Sequence, residues 1–64
     1  MKVYLIEKNV YRVVIPFEDD TSLTIFLKLT SKGLTPCSIS SKFMYDSLDV
    51  TDRDKIKELC DQCH

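Results

Sequence analysis

The 64-residue chain holds one glycine, one histidine and no tryptophan. A single glycine cannot build a phosphate-cradling loop, which needs several in close order. One histidine, His64, at the last position, has no ordered neighbour or pocket to make it a general base. Charge of either sign is nowhere in excess: nine Lys/Arg face ten Asp/Glu, for a formal net charge of −1. Residues 1–35 carry five basic against four acidic side chains, and residues 36–64 carry four against six. Neither half has the basic surplus of a strong phosphate binder. No apolar run approaches the ~20 residues that span a bilayer. The short apolar stretch after Lys2 is below the ~7–15 of a signal peptide. Three cysteines are an odd number, which a fully paired disulfide framework within one chain cannot use. These absences lead to the expectation of a cytoplasmic protein with reduced thiols.

What is present is a pattern of strands. From residue 23 to 30, Leu23, Ile25, Leu27 and Leu29 alternate with Thr24, Phe26, Lys28 and Thr30, the period of a strand with one buried face. Residues 10–17 form a denser run of β-branched residues, and residues 2–7 a third apolar segment. Polar residues 18–22 and the pair Lys8-Asn9 separate them. The spacing predicts a three-stranded antiparallel meander over about 2–7, 10–17 and 23–30.

Turn lengths then set the faces. A two-residue turn at Lys8-Asn9 pairs Glu7 with Val10, Ile6 with Tyr11, Tyr4 with Val13 and Val3 with Val14. A five-residue loop over 18–22 pairs Phe17 with Leu23, Ile15 with Ile25, Val13 with Leu27 and Tyr11 with Leu29. A three-residue loop keeps the same faces, whereas a four-residue loop inverts them. On this register the inner face holds Tyr4, Ile6, Tyr11, Val13, Ile15, Phe17 and the four aliphatic residues of the third strand. The outer face holds Val3, Leu5, Val10, Val14 and Phe26, with Arg12 and Lys28 among them. Half-exposed sheets normally turn polar residues outward.

Ser31-Lys32-Gly33 ends the sheet. Thr35-Pro36 has the form of a helix start, with Ile39, Phe43, Met44 and Leu48 on its inner side. Ser38, Ser40 and Ser41 weaken that start, so the helix is expected over about 41–48. A second helix over about 52–62 is expected from a capping box at Thr51 and Asp54. Its apolar stripe is Ile56, Leu59, Cys60 and Cys63. The fold class is therefore α+β, one small domain with the C-terminal helix on one sheet face. A core of this size buries only about 60% of the unfolded chain's surface.

Several chemistries were weighed. Cys60-Asp61-Gln62-Cys63-His64 matches the haem-attachment spacing but has no export signal and no second histidine. As a redox pair it sits at a helix C-terminus, where the dipole opposes a thiolate. Zinc held by Cys37, Cys60, Cys63 and His64 is the stronger alternative, though only one close ligand pair exists. The simpler reading makes Cys60 and Cys63 small core residues. Glu18, Asp19 and Asp20 read as a solvated turn. No catalytic residue, cofactor or metal is nominated, and the chain is not expected to be an enzyme.

The expected function is a non-enzymatic interaction or regulatory module. Its contact surface is the outer face at Val3, Leu5, Arg12, Val14, Phe26 and Lys28, or a sheet edge, docking another protein or a second copy of the chain. Its size is that of small regulators, such as those of bacteria and phages, that inhibit or redirect a larger protein. A zinc-stabilised domain and a weak single-strand nucleic-acid binder are the alternatives. Phe26, Arg12 and Lys28 share a sheet face, but one aromatic and two basic residues fall short of the single-strand pattern, so nucleic acid is not the expected partner.

Overall fold

The computed structural model describes residues 1–63. Four strands run β1 (Lys2–Glu7), β2 (Val10–Pro16), β3 (Ser22–Thr30) and β4 (Gly33–Pro36), followed by α1 (Ile39–Ser47) and α2 (Val50–Gln62). They form one antiparallel meander in the order β1-β2-β3-β4, so the α+β class and the three expected strands are present, with a fourth added. β4 exists because the Ser31-Lys32 turn returns the chain alongside β3, setting Leu34 beside Leu29 and Thr35 beside Lys28. Gly33 opens it at φ 99°, a conformation in which a Cβ is strained.

The loop after β2 is the three-residue alternative. Ile15 faces Leu23, Val13 faces Ile25 and Tyr11 faces Leu27. Phe17 N–H closes the hairpin on the Thr21 carbonyl at 2.8 Å. Asp20 takes the left-handed conformation (φ 67°) that the third residue of such a loop requires. The Asp19 carboxylate accepts from the Thr21 hydroxyl and amide at 2.6 and 3.2 Å, and these bonds hold its pKa below the ordinary value.

The first hairpin corrects the expected register. Glu7 does pair with Val10, but the ladder then shifts, and Leu5 faces Tyr11, Tyr4 faces Arg12 and Val3 faces Val13. From Leu5 back, β1 follows the register of a three-residue loop, Glu7-Lys8-Asn9, whose last residue is again left-handed (Asn9, φ 63°). One extra loop residue inverts every side chain of the strand. Val3 and Leu5 therefore belong to the inner face and Tyr4 to the outer one. The row through Phe26 is Tyr4–Arg12–Phe26, not Val3–Val14–Phe26.

The core is Tyr11, Val13, Ile25 and Leu27 from the inner sheet face with Ile56 and Cys60 from α2. Met44, Tyr45 and Leu48 of α1 pack against the same cluster, as do Val3 and Cys63. Both helices thus lie on one side of the sheet. The C-terminal turn is also held to β1, where the Cys63 thiol donates to the Val3 carbonyl at 3.8 Å.

Both expected helices are present, each beginning two residues earlier than expected and on a different cap. Ser38 caps α1 by accepting from Ser41 N–H, while Thr35 and Pro36 belong to β4. Asp49 caps α2 through Asp52 N–H, in place of Thr51 with Asp54. The inner stripe of α1 is Ser41, Met44, Tyr45 and Leu48; Ile39 and Phe43 point away from it and are 90% and 77% exposed. The reason lies at the end of β4. Cys37 N–H reaches the Phe26 carbonyl, and the Ser41 hydroxyl then accepts from Phe26 N–H at 3.1 Å. Ser41 is the one buried polar side chain among the described residues, and it completes the edge of β3 where β4 has ended. Turning Ser41 inward forces Ile39 and Phe43, two positions either side, outward.

Candidate functional site on the open sheet face

With both helices on the inner side, the outer face carries no layer of its own. Its centre is the cross-strand row Tyr4–Arg12–Phe26. On one side lies the row Lys2–Val14–Thr24, and on the other Val10–Lys28–Thr35. Tyr4 and Phe26 are 40% and 39% exposed, Arg12 and Lys28 are exposed, and Val10 and Val14 are half-buried between them. The Arg12 guanidinium carbon lies 4.8 Å from the centroid of the Tyr4 ring, a cation–π contact that holds the guanidinium across the sheet.

Three of the four charges in these rows are positive. Lys2, Arg12 and Lys28 fall on a diagonal across β1, β2 and β3. Diagonal neighbours in an antiparallel sheet are about 7–8 Å apart, so the three cations form a line rather than a cluster. Glu7 pairs with Val10 at the β1 end of the third row and is the one carboxylate among these strand positions. The other carboxylates lie at the second turn (Glu18, Asp19, Asp20) and on the helical segment (Asp46, Asp49, Asp52, Asp54, Glu58, Asp61). A chain of nearly zero net charge is thus divided into a basic sheet face and a more acidic helical segment.

Of the six outer-face residues expected from the sequence, Arg12, Val14, Phe26 and Lys28 are brought together. Val3 and Leu5 are not; they join the inner rows with Val13 and Tyr11. Tyr4 and Lys2 take their place: the expected Glu7–Val10 pair is present, but the ladder shifts between Leu5 and Glu7 and inverts the rest of β1. The signal that would have found them is Asn9, a residue suited to the left-handed third position of a three-residue loop. Ile39 and Phe43 form a second exposed apolar pair, on α1.

The cysteines do not build a centre within the described residues. Among these no group of three or more His, Cys, Asp or Glu side chains converges, so Cys37, Cys60 and Cys63 do not meet; His64 lies outside them. Cys37 is exposed and Cys60 buried. Burial, then the neighbouring Cys63 and Asp61, push the Cys60 thiol up to about 11, so it stays protonated at neutral pH. The described residues close around no pocket. Among them no helix is long and apolar enough to cross a membrane.

Comparison with protein-family models, with curated proteins and with solved structures finds no match to this chain.

Proposed function

We propose that the chain is a small non-enzymatic binding module, regulatory in effect, that docks a larger anionic partner on the outer face of its sheet. The observation that carries this reading is the placement of both helices on the inner side, which leaves Tyr4, Arg12 and Phe26 exposed in one row beside Lys2 and Lys28. An aromatic–arginine centre is the composition that dominates binding energy at contact surfaces. The excess of cations over the single edge carboxylate Glu7 points to an anionic partner, a nucleic acid or a protein with an acidic surface. It speaks against a second copy seated face to face. A two-fold contact would set three cations against three with only the edge carboxylate Glu7 of each copy to offset them.

Capture from cell extract with tagged chain tests this, with co-purifying protein and nucleic acid measured before and after nuclease. The double variant R12E/K28E should lose the captured material while melting at the wild-type temperature, because both side chains are exposed. The charge-matched variant K55E/K57E, on exposed positions of α2, should keep it. Equal capture by both variants, or equal loss, overturns the reading.

A further inference from the structure

We infer that the anionic partner is single-stranded nucleic acid, with bases lying on the Tyr4–Arg12–Phe26 row and phosphates following the Lys2–Arg12–Lys28 diagonal. This rests on the outer face being the working surface and goes on to name the chemistry it takes. Three features of that face converge on it. The first is planarity. Tyr and Phe rings and a guanidinium plane are the side chains on which unpaired bases stack, and here one of each stands in line across three adjacent strands. Strands lie about 4.8 Å apart, so the two rings are separated by about 10 Å, with Arg12 between them. Single-strand binders use this arrangement because every base has a π-face, whatever the sequence.

The second feature is that the ionised groups in these rows are hydrogen-bond donors except Glu7, at the β1 edge beside Val10. Lys2, Arg12 and Lys28 offer N–H and no acceptor, and Thr24 and Thr35 add hydroxyls. A protein surface presents donors and acceptors together, whereas a phosphate backbone presents acceptors alone. The third is the shape. A flat sheet with a cation at its centre has no hollow for the apolar anchors of an acidic peptide. It also has no projecting element to enter the groove of a duplex, whose paired bases hide their faces. The carboxylates of the helical segment confine attraction to short range. The footprint is three phosphates, and the binding is correspondingly modest.

Fluorescence anisotropy of a labelled mixed-sequence 12-nucleotide single strand, as DNA and as RNA, against the same sequence as a duplex, provides the test. The single strands should bind at least about ten times more tightly than the duplex, since only they expose base faces for stacking. A footprint of three phosphates gives a log–log salt slope of about −2, or roughly a 20-fold loss between 50 and 200 mM salt. Tyr4→Leu and Phe26→Leu should each weaken binding by roughly 5- to 100-fold, the range for losing one stacked base. Tyr4→Phe should bind like the wild type, and so should Phe43→Ala on α1. Single-strand binding no tighter than duplex, or indifferent to Tyr4→Leu and Phe26→Leu, overturns the inference. If the oligonucleotides fail while extract capture withstands nuclease and still depends on Arg12 and Lys28, the module reading stands with an acidic protein as its partner. If capture fails as well, both readings fall.

Discussion

Cys60 shows how one buried position decides between chemistry and packing. Its thiol sits in the core beside Tyr11 and Ile56, and desolvation of the charged form raises its pKa from 9.0 to about 11. A raised value means that the folded state favours the neutral thiol. The stabilisation is complete below pH 9 and is lost as the pH rises from there through about 11. A thiol-reactive dye at pH 8 should therefore label Cys37 rapidly and Cys60 slower by about a hundredfold or more, at the rate at which α2 opens. Labelling at equal rates would show that Cys60 is not in the core. Asp19 behaves in the opposite sense. Its bonds to Thr21 lower its pKa, so its support for the hairpin is present above the ordinary carboxylate range and is lost as the pH falls through the lowered value. Of the expected stripe Ile56, Leu59, Cys60 and Cys63, all but Leu59 join or pack against the core cluster, because helical periodicity places them on one face without help from tertiary structure.

At the scale of elements, turns and caps govern the outcome. All three strands of the expected meander are present, and β2 and β3 present the expected faces, since alternation over 23–30 fixes one face and an odd loop length preserves it. β1 presents the opposite face because its ladder shifts between Leu5 and Glu7, behind a turn that pairs Glu7 with Val10 as expected, and alternation within β1 does not announce that shift. α1 was misread for a different reason. Apolar periodicity placed Ile39 and Phe43 inside, but the unpaired N–H of Phe26 at the end of β4 needs an acceptor, and Ser41 supplies it. That requirement is a tertiary one and leaves no trace in local propensity. Ser41→Ala should cost about 1–3 kcal/mol in a urea titration, the penalty of leaving a part-buried N–H without a partner. Ser40→Ala, at an exposed position one residue away, should stay within about 0.5 kcal/mol of wild type. Similar midpoints for the two variants would contradict the role given to the Ser41 hydroxyl.

For the whole molecule, a one-residue change in a loop alters the character of an entire surface. With Val3 and Leu5 outside, the outer face would be an aliphatic patch; with Lys2 and Tyr4 outside, it is a row of planar side chains crossed by a line of cations. Composition alone could not disclose this, because the net charge of −1 averages a basic sheet face with an acidic helical segment. The most direct measurement is proton relaxation by a soluble paramagnetic agent, read at assigned side chains of the free protein. The ring protons of Tyr4 and Phe26 should be strongly relaxed, with the Val3 methyls attenuated less and the Ile25 and Val13 methyls spared. A protected Tyr4 ring together with fully relaxed Val3 methyls would restore the two-residue register and remove the platform on which the proposed function depends.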